Sequence, residues 1–297
     1  MSWNAGPPPT EVNPNAALPR GSDAESATEL GEYDALVLQG GGARCFYTLG
    51  FLQVVGPALT GVRQVISVSA SAAMACAHLA GGHREALKLF SALVRKNRSN
   101  FDLRRVLRGQ RPTPHLEMYQ GAMREFLTPE RFARIRDHEQ RLRIVVAKGP
   151  SRSKLLVVGL AAVTVLRPRP APLLRPHVLC AEKMQDPREL VFAVLASSAF
   201  PPFTPVPALP DGVAIIDGGA VAPIPVAALS GARRPLVVLT RPRPRLPLPA
   251  GLPLVGPQEP LPLRTWEYTD EPGLHHVYAL GQRDGATFLR TRAVRFS

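Results

Sequence analysis

Short apolar, β-branched runs punctuate the chain at residues 35–38, 65–68, 142–147, 177–181, 213–216 and 236–239. Each is the length of a buried strand and is bounded by glycine, proline or polar residues. Between them lie stretches of helical spacing. Residues 43–55 carry Phe46, Leu49, Leu52 and Gln53, and an Ala-rich stretch follows the second strand and ends at Gly81-Gly82. Residues 84–96 carry an apolar face of Leu87, Leu89, Phe90, Leu93 and Val94; residues 114–126 carry Leu116, Met118, Tyr119, Met123 and Phe126. Residues 187–198 complete the helical set. Near the C-terminus the pattern predicts a strand over 274–280 and a closing helix over 282–292.

Two stretches break this rhythm. Residues 155–166 are apolar throughout and flanked by Arg152, Lys154, Arg167 and Arg169. The run is too short for a bilayer, which takes roughly 20 residues, so it reads as a core element, with a membrane-contacting flap as the alternative. Residues 242–262 hold eight prolines interleaved with leucine. They predict neither a regular helix nor a central strand, but a segment draped over the surface. There is no repeat and no linker, so one domain is expected over 33–297, preceded by an acidic, Pro-rich, disordered tail over 1–32.

Composition narrows the classes. The chain has 297 residues, 45% of them hydrophobic, and a mean hydropathy near zero, as in a globular protein with a large core. Three cysteines, Cys45, Cys76 and Cys180, stand far apart and exclude a disulfide scaffold or a recognisable zinc motif. The net charge of +13 is uneven: residues 1–32 carry −4 and the remainder +17. A basic body suits an anionic membrane surface. No zinc finger, recognition helix or aromatic-basic signature supports nucleic acid. The N-terminus has no secretory signal pattern, and the expected location is cytoplasmic, with peripheral membrane association.

Three short motifs carry candidate chemistry. Val65-Ile66-Ser67-Val68-Ser69-Ala70-Ser71 turns a strand into a helix with a serine at the tip, the geometry that thrusts a hydroxyl out of a sharp turn. Leu38-Gln39-Gly40-Gly41-Gly42-Ala43-Arg44 is a glycine turn between strand and helix, where amides can approach an anion. As a dinucleotide fingerprint it fails, because Cys45 stands at the third glycine position. Asp217-Gly218-Gly219 follows a buried strand, and strand carboxyl ends are where open α/β sheets gather their sites.

These blocks, together with Ala196-Ser197-Ser198-Ala199-Phe200-Pro201-Pro202-Phe203-Thr204-Pro205, resemble patatin-like phospholipases in content and order. The resemblance implies a three-layer α/β/α domain with a mostly parallel central sheet, and hydrolysis of lipid acyl esters without metal or cofactor. By position it implies Ser69 as nucleophile, Asp217 as its partner, and Gly40, Gly41 and Gly42 as the oxyanion hole. Arg44, Ser67, Ser71, Gly218 and Gly219 support the motifs. The pattern departs from the family at Ser67 and Ser71, where the family has glycine, and at Cys45, whose side chain threatens to tilt the oxyanion amides. The other reading is a patatin-like protein of little or no activity that binds membrane lipid.

Overall fold

The computed structural model describes residues 30–166, 173–244 and 247–296; the tail expected over 1–32 lies almost wholly outside them. In chain order the elements are β1 (Ala35–Leu38), α1 (Cys45–Val55), β2 (Gln64–Val68), α2 (Ser71–Leu79), α3 (His83–Lys96), α4 (Arg104–Leu107), α5 (His115–Phe126), α6 (Pro129–Arg136) and β3 (Arg141–Lys148). There follow α7 (Lys154–Leu166), β4 (Arg175–Cys180), α8 (Pro187–Ser197), β5 (Ile215–Asp217), β6 (Pro235–Val238), β7 (Pro253–Val255), α9 (Glu271–Thr291) and β8 (Arg295–Phe296). The strands form one sheet in the order β4-β3-β2-β1-β6-β7-β8, with β5 also paired to β3. β3, β2, β1, β6 and β7 are parallel; β4, β5 and β8 are antiparallel to their neighbours.

Alternation along the strands sorts side chains to two faces. Leu36, Leu38, Val65, Leu142, Ile144, Leu236 and Val238 join the main core with the helices of one layer. Val37 and Val237 face the other way, beneath Ile224, Val226, Leu229, Leu248 and Leu252. On that second face α7 packs through Val157 and Leu160 against Ala147, Ala214 and Ile216. The result is a mostly parallel α/β sheet with helices on both sides, one layer being far thicker than the other.

Three local expectations are corrected. The stretch expected as a strand and a helix over 274–292 is instead the single helix α9, which ends at Thr291. Asp270 caps it by accepting from the Gly273 amide at 2.8 Å, and Leu274, Val277, Tyr278, Gly281, Gly285 and Phe288 are its buried residues. Gly281 reads locally as a break, yet it is where α9 crosses α1: a Cβ there would lie 2.0 Å from the Tyr47 carbonyl oxygen. Gly281→Ala should therefore destabilise the fold by about 2–3 kcal/mol, seen as a lower urea midpoint with unchanged slope. The Pro-rich segment also yields a strand, β7, which begins on Pro253, where no ladder donor is required; around it Leu248 and Leu252 do drape over the second face. The apolar run 155–166 is α7, in which Val157 is buried while Leu155 and Leu156 are exposed. Among the described residues no helix is long and apolar enough to cross a membrane.

Candidate active site

β2 ends at Val68 and α2 begins at Ser71, so the chain reverses through two residues. Ser69 makes that turn in the left-handed region, with φ 58°. Non-glycine residues adopt it only where surrounding contacts hold it, and two serines provide those contacts. Ser197, at the end of α8, accepts from the Ser69 amide at 2.7 Å and donates to the Val145 carbonyl at 2.7 Å. Ser71 accepts from the Val68 amide, and its hydroxyl proton faces the carbonyls of Val68 at 2.8 Å and Leu38 at 3.1 Å. Where the family pattern has glycine, this chain has a hydroxyl that ties β1 and β2 to α2. Ser67 points its hydroxyl at the Arg143 carbonyl at 3.4 Å.

Asp217 reaches the same point from the opposite direction. β2 pairs along residues 141–145 of β3, β4 occupies the other edge of β3, and β5 pairs antiparallel with residues 146–148. β5 therefore continues the lane of β2 and runs against it, so the carboxyl ends of the two strands meet head to head beside β3. This corrects the expected route: Asp217 does not rise with the parallel strands but descends onto their rim. Ser69 donates to Asp217 Oδ2 at 2.7 Å, and Gly219 donates its amide to Oδ1 at 2.7 Å. The Asp217 amide is held by the Ala199 carbonyl at 2.8 Å. A Cβ on Gly218 would lie 2.3 Å from the Val145 carbonyl oxygen, so only glycine lets β5 turn away there. Burial pushes the Asp217 carboxyl up to about 6, although the Ser69 hydroxyl and the Gly219 amide both favour its ionised form.

The glycine turn sits against Ser69: a Cβ on Gly40 would be 3.1 Å from the serine Cβ. Its three amides differ. Gly40 donates to the Pro223 carbonyl at 3.2 Å, and the amides of Gly41 and Gly42 have no acceptor among the described residues. The carbonyls of the same peptide units are pinned. Thr240 Oγ1 donates to the Gly40 carbonyl at 3.0 Å, and Arg44 donates to the Gly41 carbonyl from Nε at 3.4 Å and from its amide at 3.3 Å. In a trans peptide the N–H points opposite the C=O, so these contacts aim the Gly41 and Gly42 amides away from Thr240 and Arg44. Cys45 does not crowd the loop. Its sulfur lies 3.8 Å from the Gln39 carbonyl, and burial pushes the thiol up to about 12, so it stays protonated.

Among the described residues no histidine is hydrogen-bonded to Ser69 or Asp217. His115 is buried behind the site, between the Tyr268 hydroxyl at 2.5 Å and the Ser198 carbonyl at 3.3 Å, and desolvation lowers it to about 4, leaving it neutral. The structure thus brings together Ser69, Asp217 and the glycine turn, and adds Ser197 and Thr240, which sequence reasoning did not single out. Ser197 lies inside one of the four blocks, but nothing local marks its hydroxyl as the support of a turn 128 positions away.

No curated protein matches the sequence. Among solved structures, VipD from Legionella pneumophila aligns with 13% identity and a TM-score of 0.37, over 70% of this chain and 50% of VipD; the chain thus spans half the length of that protein. A model of the patatin-like phospholipase family matches residues 36–230, from β1 through the glycine turn, the Ser69 turn and Asp217. With well over half its length so matched, this chain belongs to the patatin-like phospholipase family.

Proposed function

We propose that the protein is a serine hydrolase of lipid acyl esters working through a Ser69–Asp217 dyad. The observation that carries the reading is the 2.7 Å hydrogen bond from the Ser69 hydroxyl to Asp217, alongside two glycine amides that have no acceptor among the described residues. A carboxylate whose pKa is near 6 is a stronger base than ordinary aspartate, yet still ionised at neutral pH. It takes the Ser69 proton as the oxygen attacks the acyl carbonyl carbon. The Gly41 and Gly42 amides receive the developing oxyanion. Asp217 then returns the proton to the leaving alcohol, and water, deprotonated by the same carboxylate, releases the fatty acid from Ser69. Gly40, whose amide is engaged by Pro223, closes the turn rather than donating to the oxyanion. The acyl ester is a membrane lipid, reached by peripheral contact with an anionic surface that suits the basic body.

A soluble fluorophosphonate should label the wild-type protein at Ser69 and leave Ser69→Ala unlabelled; a labelled Ser69→Ala, or an inert wild type, favours the lipid-binding reading without chemistry. Thr240 acts as a positioning residue. Thr240→Val keeps the volume but frees the Gly40 carbonyl, and should lower kcat for a p-nitrophenyl ester by about tenfold with KM little changed, less than the loss of an oxyanion donor itself. An equal change in KM would show that Thr240 acts on binding instead.

A further inference from the structure

We propose that the segment from Phe101 to Leu107 is the docking face that seats this protein on an anionic phospholipid bilayer, beside the Ser69–Asp217 pair; the inference rests on the lipid-hydrolase reading for what a bilayer would deliver there. The segment is fastened to both halves of the site. On one side Asn100 donates to Glu267 Oε1 at 2.8 Å and accepts from the Tyr268 amide at 2.7 Å, and the neighbouring Thr265 carbonyl holds the Ala43 amide behind the glycine turn at 3.0 Å. On the other, Arg111 Nη1 donates to the Pro202 carbonyl at 2.6 Å, in the stretch whose Ala199 carbonyl holds Asp217. Its own base is closed by the Asp102 amide on the Pro112 carbonyl at 2.8 Å and by an Arg105–Glu117 ion pair.

What this fastened segment presents to solvent is apolar. Leu107 is 89% exposed, Leu103 66%, Phe101 52% and Val106 50%. Leu103, Val106 and Leu107 stand three and four positions apart and share one side of the single turn α4. Nearby, Trp266 is also partly exposed, its ring centroid 5.2 Å from that of Phe200. Adjacent large apolar side chains left in water mark a contact surface. Charge selects the partner: residues 98–111 hold five arginines against one aspartate, and Arg98, Arg104 and Arg108 are exposed among the apolar groups. Leucine and phenylalanine at the acyl boundary with guanidinium groups at the phosphates is the arrangement an anionic interface accommodates. A second copy meeting this face about a two-fold axis would instead set Arg104 and Arg108 against their own counterparts.

The test uses the full chain carrying Ser69→Ala, so that lipid is not consumed, co-sedimented with mixed phosphatidylcholine–phosphatidylglycerol vesicles and with phosphatidylcholine alone. Adding Leu103→Asp with Leu107→Asp should lower partitioning onto the mixed vesicles by about tenfold or more. Adding Arg104→Gln with Arg108→Gln should lower it by about tenfold and remove the preference over phosphatidylcholine. Unfolding midpoints equal to the parent's show that these exposed changes leave the fold intact. Parent-like partitioning of either pair overturns the proposal. So does a parent that sediments as a dimer, dissolved by the leucine pair while vesicle binding stays. Fluorophosphonate labelling of wild-type Ser69 reads the dyad separately. Vesicle binding lost on the leucine pair with Ser69 unreactive supports the face and rejects the chemistry, and the reverse rejects the face alone.

Discussion

Asp217→Asn should lower kcat/KM for acyl ester hydrolysis by about 10⁴, the loss typical when the carboxylate of such a constellation is neutralised, and yet yield a more stable protein. Asparagine keeps the volume, and its amide oxygen can still accept from Gly219, but it cannot take the Ser69 proton. The stability gain follows from the pKa. In the fold the carboxyl sits at about 6, above the 3.8 of an ordinary aspartate. The native state therefore holds its proton more tightly than the unfolded chain, and the stabilisation is complete below pH 4 and lost as pH rises through 6. At pH 8 the wild type carries a buried anion at a cost on the order of 2–3 kcal/mol, from about two pKa units. Urea unfolding should thus show Asp217→Asn more stable at pH 8, with the gap closing between pH 6 and pH 4. The same ionisation makes wild-type kcat/KM climb with pH through about 6 to a plateau. A flat profile, or a variant that turns over ester normally, would remove Asp217 from the base role.

Gly42→Ala is expected to lower kcat by about 10²–10³, the cost of one oxyanion donor, and to weaken the fold as well. Gly42 has φ +59°, and a Cβ there would lie 2.0 Å from the Thr265 carbonyl oxygen, which is backbone and cannot swing aside. The peptide must turn, taking its amide out of line. Gly231→Ala is the control. Its φ is +69° with nothing within 4 Å of the new methyl, so it carries the backbone penalty of about 1 kcal/mol without a clash and should leave kcat unchanged. Gly41→Ala crowds a side chain instead: its Cβ would lie 2.6 Å from Thr240 Oγ1 and 3.0 Å from Thr240 Cβ, displacing the hydroxyl that pins the Gly40 carbonyl. Turnover within threefold of wild type in Gly42→Ala would show that this turn does not face the oxyanion.

Much of the site was legible because its parts are local. A β-branched run followed by small residues and alanine specifies strand, turn and helix within ten positions, and a glycine triplet after a buried strand specifies a tight turn. Both appear where expected, as does the helix periodicity of α3 and α5. What escaped depends on distant partners. The direction of β5 is set by its pairing with β3, not by Ile215 or Ile216. The Gly40 amide looks like its neighbours until Pro223 comes to meet it. Gly281 divides a local reading of α9 in two, although it is where α9 crosses close to α1. The helix α6 carries a usable local signal, Thr128 before Pro129, in which the threonine oxygen accepts from the Arg131 amide.

The meeting of β2 and β5 has a consequence for when this protein is competent. Neither strand pairs with the other; β3 is the strand they share, and β5 grips it over three residues. The Ser69–Asp217 contact accordingly waits for a short segment 148 positions downstream of the serine to find its berth. Unzipping that segment would part the serine from its carboxylate while the parallel ladder of β3, β2, β1 and β6 still stands.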